Sequence, residues 1–101
     1  MSTAELDEMI KALSHPVRRD ILNWLKQPEQ FFADQQHPLS FGVCAGMIDQ
    51  KTGLSQSTVS AHLATLQRAG FIRSKKVGQW SFFTRNEEVI QQFLSCLNEQ
   101  L

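Results

Sequence analysis

Between Ser55 and Gly70 the chain reads SQSTVSAHLATLQRAG, and its polar side chains, His62 and Arg68 apart, are short hydroxyls and amides with no acid among them. Gln56, Ser57 and Ser60 stand just after Ser55. Gln can pair bidentately with adenine, while Ser and Thr donate or accept at either base edge, and long charged groups in the same place would crowd the approach to a groove floor. Charge is supplied beside them instead. Lys51, Arg68, Arg73, Lys75, Lys76 and Arg85 fall between residues 51 and 85, a stretch holding no Asp or Glu, although the formal net charge of the chain is zero. Such a stretch is built to face an anion. Base-edge hydrogen bonding flanked by cations that reach phosphates is the chemistry of duplex DNA recognition. The same residues also suit an ordinary capped surface helix beside a solvated basic face, so the surrounding elements must decide between the two.

Other chemistry finds little support. Ser60 and His62 are two apart on a helical segment and point differently, and no carboxylate lies between residues 50 and 86 to complete a triad. There is no Gly-rich phosphate loop and no paired acid site, and Cys44 has no histidine placed to activate it. Catalysis is therefore not expected. Cys44 and Cys96 are too few to staple a scaffold, and a reducing compartment keeps them as thiols. Two readings of them stand: small hydrophobes in the core, or a thiol pair acting as a redox switch.

The elements that must position these groups follow from periodicity. A chain of 101 residues, 42% hydrophobic, is expected to form one domain spanning residues 1–101. No apolar run approaches the roughly 18 residues of a membrane span, and the acidic start (Glu5, Asp7, Glu8) is unlike a secretion signal, so a cytoplasmic protein is expected. Leu6, Met9, Ile10 and Leu13 predict an amphipathic helix over Thr3 to about Leu13. Ser14 is read as the cap of a second helix, with Pro16 in its first turn, His15 at its start and Val17, Ile21, Leu22 and Leu25 inward. Pro28 to Ser40 has no periodicity and reads as a loop that carries a turn of its own or packs Phe31 and Phe32 on the body. Leu39 to Phe41 is read as a small strand, and Val43 to Lys51 as a short third helix.

After the turn at Thr52-Gly53-Leu54, Ser55 caps a fourth helix whose inward stripe is Val59, Leu63 and Leu66. Gly70 stops it. Phe71 to Val77 and Trp80 to Arg85 then alternate with period two around Gly78-Gln79, a hairpin. Asn86 caps a last helix with Glu87 and Glu88 in its first turn and an apolar stripe of Val89, Ile90, Phe93, Leu94, Leu97 and Leu101. The fold class is mostly α with a small β-hairpin wing, in the order α-α-(β)-α-α-β-β-α. A short helix, a Gly turn, a capped polar helix and a basic hairpin form the ordered signature of a winged helix-turn-helix.

The runs ALSHPVRRDILNWL, LSQSTVSAHLATLQRAGFI and KKVGQWSFFTR resemble winged-helix transcriptional regulators of the ArsR/SmtB type, over about residues 3 to 101. The resemblance implies a homodimeric repressor occupying an inverted-repeat operator of double-stranded DNA, with the first and last helices forming the dimer interface. It puts Gln56, Ser57, Thr58, Ser60 and His62 at or near DNA, with His62 either bracing the helix or touching a phosphate. Arg68 is assigned a supporting role, and Lys75, Lys76 and Gln79 the work of the wing. Many members of the family hold thiophilic metals through a motif of the form ELCVCDL. Here the matching stretch is GVCAGMI, with Cys44 on the first cysteine and Gly46 on the second, and residues 86 to 101 contain no His, so neither a metal nor another cofactor is expected. The effector is not encoded in any recognisable motif. The competing reading from another class is a dimerisation or protein-interaction module, against which the acid-free hairpin argues.

Overall fold

Four of the helices start where a side chain satisfies a free amide of the first turn. The computed structural model describes residues 1–101. Helix α1 (Thr3–Leu13) opens on a capping box, in which Ser2 accepts from the Glu5 amide and Glu5 reaches back to the Ser2 amide. Helix α2 (Pro16–Lys26) is capped by His15, whose Nδ1 accepts from the Val17 amide at 3.2 Å. Ser14, read from the sequence as that cap, instead closes α1: it remains in the helical region and its hydroxyl donates to the Lys11 carbonyl. Pro16 is the physical reason, because it forces the residue before it into extended backbone, the conformation an N-cap needs.

The expected loop after Pro28 holds the single turn α3 (Pro28–Phe31), and Phe32 is sunk in the core at 1% exposure. Leu39–Phe41 is a 3-10 turn and not the strand expected there. The strand, β1, is Val43–Cys44. Gly42 causes the offset: at φ 103° it redirects the chain so that Val43 and Cys44 pair antiparallel with Phe83 and Phe82. Val43 is thus the start of a strand and not of the third helix, and that helix, α4, covers Ala45–Thr52.

Helix α5 (Gln56–Arg68) begins at the Ser55 cap and ends as its sequence predicts. Gly70, at φ 89°, lets the Phe71 amide reach the Leu66 carbonyl and its own amide reach Gln67, a Schellman closure. Strands β2 (Ile72–Val77) and β3 (Trp80–Arg85) form the hairpin, and the sheet order is β1-β3-β2, all antiparallel. Helix α6 (Glu87–Gln100) starts at Asn86, whose side chain accepts from the Val89 amide.

One core draws on every principal element. Leu6, Met9 and Ala12 of α1 meet Ile21, Leu22 and Leu25 of α2, Ile48 of α4 and the Val59-Leu63-Leu66 stripe of α5. Phe83 of β3 closes it from the sheet side, and an edge-to-face pair of Phe71 and Phe93 at 5.2 Å locks α6 on the base of the hairpin. The other face of β3 is covered separately, with Phe82 held under Phe41 and His37. Both hairpin faces are therefore fixed relative to α5. A bond from Gln67 Nε2 to Ser74 Oγ at 3.0 Å ties them further.

Candidate nucleic-acid interface

The N-terminal face of α5 is organised by one hydroxyl. Ser55 Oγ accepts from the Thr58 amide at 3.3 Å and donates to Thr58 Oγ1 at 2.8 Å, and Ser57 Oγ lies 3.3 Å away. Gln56, Ser57, Thr58 and Ser60 are all exposed, while Val59 between them is fully buried. The result is a rigid helix start that presents an amide and hydroxyls to solvent with no charge in the first turn. The Thr58 hydroxyl is engaged by the cap and that of Ser57 more loosely, so Gln56 and Ser60 carry the freest polar groups.

His62 belongs elsewhere. It is 9% exposed, turned toward α2, and its Nδ1 accepts from Arg18 Nε at 3.1 Å. It lies off the outward face and braces the helix, the structural one of its two sequence readings. The signal was available: Val59, His62, Leu63 and Leu66 follow i, i+3, i+4, i+7, so His62 shares the apolar stripe. Burial and the charges of His15 and Arg18 hold its imidazole below the ordinary histidine range.

The six cations of the acid-free stretch are not equivalent. Arg85 is 14% exposed, paired with Glu87, and donates to the Leu22 carbonyl at 3.1 Å, so it joins β3 to α6 and α2. Lys51 lies over the rings of Trp24 and Phe31, at 5.8 and 5.1 Å from their centroids. Arg68, Arg73, Lys75 and Lys76 remain exposed. Arg68 closes the C-terminal end of α5, roughly 18 Å along the axis from Gln56 at 1.5 Å per residue. There it borders a groove with Met1, Glu5 and Glu8 of the N-terminal segment, so the structure does not bring it to the polar face. Lys75 and Lys76 leave opposite faces of β2: Lys75 pairs with Phe82 and stretches over Phe41 at 5.0 Å, whereas Lys76 pairs with Ser81 on the face that also carries Ser74 and so meets α5. Gln79 is exposed in the hairpin turn.

The two thiols are free and differently housed. Cys44 is buried in β1, with its amide donating to Gln35 Oε1 at 2.8 Å. Cys96 is half-buried on α6 and accepts from Gln100 Nε2. On α1 and α6, Ile10 at 45% and Leu94 at 50% exposure leave apolar side chains uncovered. No helix is long and apolar enough to cross a membrane.

A capped polar helix packed behind a short helix and beside a cationic hairpin defines a winged helix-turn-helix DNA-binding protein. Solved structures agree on the fold. An ArsR family transcriptional regulator superposes with a TM-score of 0.78 at 19% identity, covering 99% of this chain and 90% of that one. The homodimeric winged helix-turn-helix DNA-binding domain from Mycobacterium bovis gives 0.66 at 21%, covering 96% and 79%. The sequence model of the bacterial regulatory proteins of the arsR family matches residues 44–74, from β1 through α5 into β2. Among relatives, the HTH-type transcriptional regulator YbzH of Bacillus subtilis is 36% identical over 96 residues, 93% of this chain and 96% of YbzH. The transcriptional repressor SdpR of the same organism is 28% identical over 92 residues, 91% of this chain and 88% of SdpR. The chain belongs to the ArsR family of DNA-binding transcriptional regulators, a class without enzymatic activity.

Proposed function

We propose that this chain is a cytoplasmic, homodimeric repressor that occupies an inverted-repeat operator. The observation that carries the reading is the face of α5 where Gln56, Ser57 and Ser60 stand exposed around an uncharged, Ser55-capped helix start. These three read base edges in the major groove, and Thr58 supports them. Lys76, Lys75 and Gln79 follow the hairpin to the backbone or the adjacent minor groove. Arg68, set far from the base-reading end, contributes at most a flanking phosphate contact.

The uncovered Ile10 and Leu94 support pairing through α1 and α6, since a second copy would bury them. A homodimeric neighbour of the same fold and a relative named as a repressor support the same assembly and activity. Two recognition helices in successive major grooves then sit about 34 Å apart, which sets half-sites roughly one helical turn from centre to centre. Repression follows from occupying a promoter, and release from a dimer rearrangement that changes that spacing. Cys44, buried in the sheet, and Cys96 are read as packing groups. Sedimentation of the purified chain with and without a duplex carrying a selected site tests the assembly: two chains per duplex are expected, and one chain per duplex contradicts it.

A further inference from the structure

Arg18 joins three helices through one guanidinium. Its Nε donates to His62 Nδ1 of α5 at 3.1 Å, and its Nη1 donates to the Lys11 and Ala12 carbonyls at the end of α1, each at 3.3 Å. His15, the cap of α2, stands over the same site, its ring centroid 4.4 Å from that of His62. The helix that opens the chain, the helix behind the reading head and the reading head itself thus meet at a single contact.

That contact exists in only one protonation state. A guanidinium has donors and no acceptor, so His62 Nδ1 must be bare to receive it. A second proton on the imidazole would aim donor at donor and set cation against cation. Nothing nearby offsets the charge. The groups acting on His62 are His15 and Arg18, and α1 offers only the backbone carbonyls that already hold Arg18. No hydrogen bond or ion pair joins His62 to Asp20 of α2, to Asp49 or Lys51 of α4, to Arg73, Lys75 or Lys76 of β2, or to Arg68 at the far end of α5.

We propose that the Arg18–His62 contact is a proton-operated clasp. With His62 neutral, Arg18 holds α5 in the attitude that reads bases, and a proton on His62 opens the contact and lowers affinity for specific DNA. Arg18 and His62 are positioning residues. The inference rests on the reading of α5 as the base-reading helix.

The test uses the full chain and a duplex enriched by it from a random library at pH 8. Binding is followed from pH 8 to 5.5 at fixed ionic strength, beside an NMR titration of the histidine ring nitrogens. Wild-type affinity should fall by up to about tenfold per pH unit below the midpoint of His62 in the free protein, the limit for one linked proton. H62Q, whose amide oxygen can accept from Arg18 without titrating, should bind as wild type at pH 8 and stay flat on acidification. H37Q should keep the loss unchanged, and H15Q should keep it with a midpoint moved to higher pH, because the His15 charge lowers the His62 value. A wild-type affinity that is constant or rises on acidification, or an H62Q profile that still falls like wild type, overturns the clasp. Should H62Q fail to fold, the ring titration decides: Nδ1 unprotonated at pH 8 with a midpoint matching the loss of binding supports the clasp, and a protonated Nδ1 or a displaced midpoint overturns it. If no duplex is enriched, the base-reading role itself fails, whereas an enriched duplex bound without this pH response defeats the clasp alone.

Discussion

Ser55 Oγ sits 2.8 Å from Thr58 Oγ1 and also receives the Thr58 amide, so one hydroxyl fixes both the start of α5 and the rotamer of a side chain on its outer face. Ser55→Ala removes an N-cap and frees the Thr58 hydroxyl. The expected loss is about 1 kcal/mol, a fall in Tm of roughly 4–8 °C for a domain of this size. Ser55→Asp, which can accept the same amide, should restore most of it. Thermal unfolding followed by circular dichroism checks both, and an unchanged Tm in Ser55→Ala would show that the cap contributes nothing.

The division between base reading and backbone contact is separable by salt. Gln56→Ala should relax sequence preference at one base position, at a cost of about 1–3 kcal/mol on the preferred site and little on random duplex. Lys76→Ala should weaken every duplex alike and reduce the slope of log affinity against log salt by about one. Fluorescence anisotropy at several salt concentrations distinguishes them. Equal losses on all sequences from both substitutions would remove Gln56 from base reading.

Gly42 holds the sheet together by lacking a side chain. A Cβ there would stand 2.8 Å from the Phe83 carbonyl oxygen and 2.9 Å from Thr84 Cγ2, on a backbone at φ 103°. Neither the strand carbonyl nor the φ can relax without unpairing β1 from β3. Gly42→Ala should therefore cost about 2 kcal/mol or more, readable as a lower denaturant midpoint. A cost below half that value would mean that the β1–β3 register has little weight in stability.

Arg85 and Glu87 give the fold a mild acid dependence. The hydrogen bond from Arg85, together with its charge, holds the Glu87 carboxyl below its ordinary value of 4.5, against the opposing effect of burial. A carboxyl depressed in the folded state adds stability that is fully present above its unfolded value and is lost as pH falls through the folded one. Because Glu87 is 61% exposed, solvent screening limits the gain to at most about 1 kcal/mol. Glu87→Gln should thus be slightly less stable than wild type at pH 7, and the two curves should converge at acidic pH. Parallel curves across that range would contradict the assignment.

Much of this organisation was written locally. The Ser55 cap, the Gly70 stop, the alternation of the hairpin and the Asn86 cap each lie within a few residues of the element they define, and each stands where it was expected. Apart from the α2 cap, which Pro16 moves locally from Ser14 to His15, the errors share a cause. Val43–Cys44 is a strand only because β3, some forty residues later, offers it a partner, and Gly42 turns the chain to meet it. Arg18 is 44 residues from His62, so no local pattern could announce their bond, although the helical spacing of His62 already placed it inward. Arg85 reads in the sequence as one of six cations, but the fold engages it with Glu87 and the Leu22 carbonyl. Tertiary partners, rather than residue types, decide which polar groups remain for DNA.

In the proposed dimer, two copies of α5 read a symmetric duplex. Sequencing duplexes enriched by the purified chain from a random library, at about 0.1 M salt, addresses it most directly. An inverted repeat with half-site centres roughly 10–10.5 base pairs apart is expected. Enrichment of a single unpaired half-site, or of no sequence over the starting library, would contradict it.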